Sequence, residues 1–215
     1  MSLCAIVPIK PLRRGKSRLA SILSEEKREE LNEYLLTSTL DCLSKINEID
    51  QIIVISCDPK VLMLARKFDA KTVLEPRNSN INRALRKATI AAMAIFASKT
   101  IVIPADIPFM TADDIIKVIK MSGKPQEIVI VPDRRSIGTN VLLVNPIGAI
   151  KYDFGDWSFR KHVEQAERKK INVKVCRNDN LSFDLDWPED WKYILSKRNE
   201  KSINLVDNLL QEVRI

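Results

Sequence analysis

No apolar run in this chain reaches the ~18 residues needed to cross a bilayer, and the apolar stretch 3–9 is too short for the core of a signal peptide. We therefore expect no membrane partner, while the cysteine pattern fits a reducing cytoplasm best. The four cysteines (Cys4, Cys42, Cys57, Cys176) are scattered without a CxxC pair, so neither a zinc site nor a disulfide framework is indicated. GxGxxG is absent, which argues against a dinucleotide-binding fold. Gly15-Lys16-Ser17 looks like the end of a P-loop, but that motif needs a glycine five residues earlier, where Lys10 stands. His162 is the sole histidine, so no Cys–His or Ser–His–Asp arrangement can be inferred, and a structural or surface position is expected for it. Aromatic residues make up 6%, with no RNP-like or helix-turn-helix signature, which argues against a basic nucleic-acid-binding protein without catalysis.

What is present is a 215-residue chain, 45% hydrophobic, with a formal charge of +7. That length suits one domain, here expected over residues 1–198, with a short appendage over 199–215. The positive charge favours anionic partners, either nucleic acid or a small polyphosphate, unless it is only a solvated surface. Strands are expected at 3–9, 51–56, 71–74, 100–105, 127–131, 140–144 and 172–176, and helices at 25–46, 59–68, 81–97, 111–121, 157–170 and 188–198. Their alternation predicts an α/β sandwich around a mostly parallel sheet, and runs such as Ile52-Ile53-Val54-Ile55 read as strands covered on both faces. Asp58-Pro59 reads as a helix cap, and Thr111 with Asp114 as a capping box. No helix fits between 131 and 140, so strands 127–131 and 140–144 should form an antiparallel addition and make the sheet mixed. The apolar pattern from Ile203 to Val213 has helical spacing and could pack on its own domain or on a second subunit, making a homodimer plausible.

The charged residues cluster at the ends of expected strands. Lys10, Arg13, Arg14, Lys16 and Arg18 surround Gly15 after the first strand, a composition that can wrap a triphosphate or simply form a basic surface loop. Asp106 ends an apolar run before a proline turn; ligands of open α/β sheets bind there, and Mg2+ is commonly held by one or two carboxylates with substrate phosphates. Alternatively, Asp106 only shapes the turn. Asp184 and Asp186 lie two apart, so on an extended segment both point to one side, an unfavourable pairing unless a cation lies between them. One of them could instead cap the helix beginning near Pro188. The turns Ser136–Asn140 and Phe154–Phe159 offer glycine, hydroxyls and, in the second, free N–H groups at a helix start that would suit a phosphate or carboxylate.

In order along the chain, VPIK, GKSRLA, INRAL, PADIP, VPDRRSIGTNVLL, FGDWSFRKH and FDLDWPED resemble the 2-phospho-L-lactate guanylyltransferase family over roughly residues 3–195. The resemblance implies a nucleotidyltransferase fold, like that of nucleotide-diphospho-sugar transferases, with a three-layer α/β/α sandwich. It implies transfer of GMP from GTP to 2-phospho-L-lactate, giving lactyl-diphosphoguanosine and pyrophosphate in coenzyme F-420 biosynthesis. Related enzymes use phosphoenolpyruvate or 3-phosphoglycerate, and another nucleotidyltransferase acting on a sugar phosphate is the alternative reading. By position, Asp106, Asp184 and Asp186 resemble the acids that hold Mg2+ and organise the acceptor. Thr139, Gly155 and Ser158 resemble the acceptor pocket. Lys10, Arg13, Lys16 and Arg18 resemble triphosphate contacts, with Lys16 and Asp106 catalytic, and Asn82 resembles part of the nucleotide pocket. Trp187 departs from the family pattern: it stands where relatives often carry a small hydroxyl residue that would cap the next helix, so an altered turn is expected there.

Overall fold

The computed structural model describes residues 2–196; the expected helical appendage over 199–215 lies outside the described residues. Seven strands form one sheet: β1 (Leu3–Pro8), β2 (Gln51–Ser56), β3 (Lys71–Leu74), β4 (Lys99–Val102), β5 (Glu127–Pro132), β6 (Thr139–Asn145) and β7 (Asn172–Val175). Their spatial order is β3-β2-β1-β4-β6-β5-β7. β6 is antiparallel to both neighbours, and every other pairing is parallel. The mixed, mostly parallel sheet is thus as expected, with the reversal where no helix fits between two strands. The principal helices are α1 (Glu25–Ser44), α2 (Pro59–Arg66), α3 (Ile81–Ala94), α4 (Ala112–Met121) and α5 (Ser158–Arg168), followed by a short α6 (Asp179–Ser182) and α7 (Pro188–Ser196).

Alternation along the strands builds the three layers. Leu3, Ala5 and Val7 pack with residues of α1, α2 and α4, while Cys4 and Ile6 pack with α3 and α5 on the other face. Helix starts follow local chemistry: Asp58 accepts from the Lys60 N–H at 2.9 Å ahead of Pro59, and Thr111 and Asp114 form the reciprocal capping box. β4 is shorter than the expected 100–105. The Ile103 N–H still reaches Ile6 O at 3.0 Å, but Pro104 has no N–H to donate, and the chain leaves the ladder there. Ile103, Ala105 and Ile107 stay buried although they are off the strand, which is why the sequence reads as a longer one.

A third, smaller core decides where the candidate site residues meet. Leu19 and Leu23 pack with Leu31 and Leu35 of α1, with Phe183 and Leu185, and with Trp191 and Ile194 of α7. It fastens the cationic segment after β1 to the acidic segment 183–186. Two short 3-10 turns, Leu12–Arg14 and Ser17–Ser21, carry that cationic segment; neither they nor α6 was foreseen.

Candidate active site

Phe183 and Leu185 are buried in the third core, so the intervening Asp184 and the following Asp186 face away from it on one side of an extended segment. The Leu185 N–H donates to Asp106 O at 3.0 Å, joining this segment to the turn after β4. Lys16 comes from the opposite loop with its backbone in the left-handed region (φ 53°), which turns its side chain inward. Its ammonium lies 2.8 Å from Asp106 Oδ2 and 3.1 Å from Asp186 Oδ1, with 6% of the side chain exposed. Arg18 Nη1 holds the other Asp186 oxygen at 2.8 Å. Burial disfavours the Lys16 ammonium, but Asp106 and Asp186 together outweigh it and raise its pKa above the usual 10.5. Burial likewise works against the Asp186 carboxylate; Lys16, Arg18 and Lys10 reverse that and hold its pKa below the ordinary value, which also places exposed Lys10 within the field of this cluster.

At Asp184 the compensation from its own backbone N–H and from Lys16 falls short. Burial, then the negative charges of Asp106 and Asp186, push its carboxyl up to about 6. Among the described residues no three acidic, histidine or cysteine side chains form a ready metal cage, and Lys16 takes one oxygen from each of Asp106 and Asp186. The donor set still fits a hard cation. It is all carboxylate oxygen, and Asp184 would shed its charge crowding by coordinating one. Mg2+ commonly binds through one or two carboxylates with substrate phosphates completing the shell.

The turn at Trp187 is held from a position the sequence reading passed over. Asp190 Oδ2 accepts from the Asp186 N–H at 2.9 Å and the Trp187 N–H at 2.7 Å, while Oδ1 pairs with Arg134. Asp190 therefore supplies from inside α7 the half of a capping box in which the third helical residue reaches back to the cap N–H, and its spacing three residues after the cap position was the available signal. Arg134 also stacks over Phe183, 4.2 Å from the ring centroid. Trp187 packs under the Arg18 guanidinium at 4.6 Å. Arg13 is engaged differently: it pairs with Glu29 at 2.8 Å on the surface, with 70% of its side chain exposed. Gly15 is needed for packing, since a Cβ there would lie 2.5 Å from Asn32 Nδ2, the group that donates to Leu12 O.

The expected acceptor residues gather at the same end of the sheet. Thr139 begins β6, and Asn140 Nδ2 donates to Leu181 O at 3.0 Å just ahead of the acidic segment. Gly155 has φ +119°, which L residues rarely adopt, and open space where a Cβ would stand. Ser158 is buried at the start of α5. The N–H groups there are less free than the sequence suggests: Ser158 N–H donates to Gly155 O and Phe159 N–H to Ile137 O, each at 3.1 Å. Asn82 clamps this loop, accepting from the Phe154 N–H at 2.8 Å and donating to its carbonyl at 3.0 Å, so it shapes the wall through backbone contacts. His162 is fully buried between this loop and Thr139.

Known proteins share both sequence and fold. The chain is 36% identical over 190 residues to a phosphoenolpyruvate guanylyltransferase of Rubrobacter xylanophilus, covering 88% of this chain and 92% of that protein. It is 35% identical over 185 residues to a 2-phospho-L-lactate guanylyltransferase of Methanobrevibacter smithii, covering 86% and 80%. Among solved structures, a nucleotidyl transferase of Methanothermobacter thermautotrophicus superposes with a TM-score of 0.65 at 13% identity, covering 98% of each chain, which supports the nucleotidyltransferase fold. The family model described as "Guanylyl transferase CofC like" matches residues 3–215. With nucleotidyltransferase architecture and relatives this similar, the chain belongs to the CofC-like guanylyltransferase family.

Proposed function

We propose that this guanylyltransferase transfers GMP from GTP to the phosphate of 2-phospho-L-lactate, releasing pyrophosphate. The observation that carries a phosphoryl-site reading is the buried Lys16 ammonium between Asp106 and Asp186, with Asp184 beside them at the carboxyl end of the sheet. An oxygen of the acceptor phosphate attacks the α-phosphorus of GTP; that O–P bond forms as the bond to the bridging oxygen of the β-phosphate breaks, and pyrophosphate leaves. The acceptor phosphate is already anionic near neutral pH, so the chain needs no general base. Its work is positioning and charge neutralisation. Lys10, Lys16 and Arg18 supply cations for the triphosphate and the leaving pyrophosphate, and Thr139, Gly155 and Ser158 hold the acceptor. Asp106, Asp184 and Asp186 would hold Mg2+, which supplies charge neutralisation on phosphate oxygens when bound.

Phosphoenolpyruvate is the second reading, favoured by the 36% identical relative of that name. The two acceptors carry the same phosphate and carboxylate and differ around one carbon–carbon unit. Pyrophosphate release with Mg2+, crossing the four nucleoside triphosphates with phospholactate, phosphoenolpyruvate and 3-phosphoglycerate, tests both. Release with GTP and phospholactate supports the first reading. Release with GTP and phosphoenolpyruvate alone selects the second, and dependence on another triphosphate overturns the base assignment.

A further inference from the structure

His162 is wired at both ring nitrogens. The Asp153 backbone N–H donates to Nε2 at 3.0 Å, and Nδ1 lies 3.1 Å from Thr139 Oγ1. A backbone N–H can only donate, so Nε2 is an acceptor and carries no proton. Burial first, and Lys161 to a smaller degree, lower the pKa to about 4 against an opposing pull from Asp153, so the ring is neutral at physiological pH. A neutral imidazole has one N–H, which must then be on Nδ1 and donates to the Thr139 oxygen. The hydroxyl proton of Thr139 is left over, and among the described residues no acceptor takes it. The Phe154 ring meets His162 edge-on at 5.0 Å, and Asn82 fixes Phe154 at both backbone polar atoms. The imidazole is thereby held from the loop side as well as from β6.

We propose that His162 is a positioning residue for the acceptor: its Nδ1–H orients the Thr139 hydroxyl so that Thr139 presents a hydrogen-bond donor to an anionic acceptor oxygen. The proposal rests on the reading of Thr139 as an acceptor contact. It goes further by naming the group that decides the polarity of that contact.

Two substitutions separate orientation from simple support. In His162→Asn the amide nitrogen can take the place of Nδ1 and still donate to Thr139, with the contact to Asp153 lost. In His162→Gln the amide oxygen can take the place of Nε2 and accept from Asp153, with the donor to Thr139 lost. With saturating GTP and whichever of 2-phospho-L-lactate and phosphoenolpyruvate is turned over, Thr139→Val should raise the acceptor KM about tenfold, the worth of one hydrogen bond. His162→Gln should raise it similarly, His162→Asn should stay nearer the parent, and KM for GTP should not move. The double variant His162→Gln, Thr139→Val should be no worse than Thr139→Val alone. If Thr139→Val raises the acceptor KM but His162→Gln does not, the orienting role is wrong while the acceptor pocket stands. If Thr139→Val changes nothing, the acceptor reading of Thr139 fails and takes this one with it. The unaltered protein gives a check independent of turnover and of variant folding. Long-range 1H–15N spectra should show the Nδ1-protonated tautomer, and an Nε2-protonated ring overturns the proposal.

Discussion

Replacing Asp184 by asparagine should stabilise this protein while removing its activity. Burial and the charges of Asp106 and Asp186 move the Asp184 carboxyl from 3.8 to about 6 in the folded state. A folded pKa above the unfolded one means the native state holds the proton more tightly. The advantage of the native state is therefore full below about pH 4 and is lost as pH rises through about 6. Above that window the ionised side chain costs up to about 3 kcal/mol, at 1.36 kcal/mol per pKa unit; water reaching the half-buried group reduces this to about 1–2 kcal/mol. Asparagine keeps the shape without the charge. In urea titrations at pH 7.5, Asp184→Asn should unfold at higher denaturant than the parent, and the gap should close as the titration is repeated toward pH 4. Magnesium chloride at about ten times its Kd should stabilise the parent by about 1.4 kcal/mol and the variant by much less. A variant equally or less stable at pH 7.5, or a gap that persists at pH 4, would show that charge crowding at Asp184 is not what the fold tolerates. A magnesium effect that survives the substitution would remove Asp184 from the proposed metal site without touching the crowding argument.

The neighbouring residues give sharper separations of stability from turnover. Asp106→Asn leaves Lys16 paired with Asp186 and should lower kcat at least about 100-fold with a small change in Tm; near-normal activity with Mg2+ would refute its role. Asp190→Ala strands the Asp186 and Trp187 N–H groups and leaves Arg134 without its carboxylate, costing about 2–3 kcal/mol in urea unfolding and lowering kcat through the displaced acids. Unchanged kcat in a folded Asp190→Ala protein would mean the acidic segment is held by the third core alone. Gly155→Ala meets no atoms but must keep φ near +119°, so it should cost about 1–3 kcal/mol and raise the acceptor KM without affecting that of GTP.

How much of this was legible in the sequence depended on whether the signal was local. Each principal strand and helix was visible because periodicity and caps act within a few residues; Asp58-Pro59 and the Thr111–Asp114 box behave as written. The reversal at β6 was visible because 132–138 is too short for a helix. β4 was read too long because Ile103 and Ala105 are buried without being paired, and apolar residues report burial rather than hydrogen bonding. The site divides in the same way. Asp184 and Asp186 share a side by the period of an extended chain, which needs no tertiary knowledge. That Lys16, 90 residues before Asp106 and 170 before Asp186, bonds to both could be named only through resemblance, since spacing carries no information at that range.

What spacing could not supply is the backbone support around the candidate site. Asp190 and His162 look ordinary in the sequence, Asn82 stands out only through the resemblance, and none is positioned to be an obvious reactant. Each acts by satisfying backbone N–H groups next to a residue that matters: Asp186 and Trp187, Phe154, and Asp153. Such groups must find partners when buried, so a side chain that supplies one fixes the local chain path more firmly than apolar contact does. Trp187 shows the consequence. Trp187 has no side-chain acceptor to offer the helix start, and Asp190 anchors the turn by accepting from the Asp186 and Trp187 N–H groups. The Trp187 indole packs under Arg18, whose guanidinium also holds Asp186. Trp187 thus helps tie the cationic loop and the acidic segment together from a second direction, alongside the Leu19–Leu185 core.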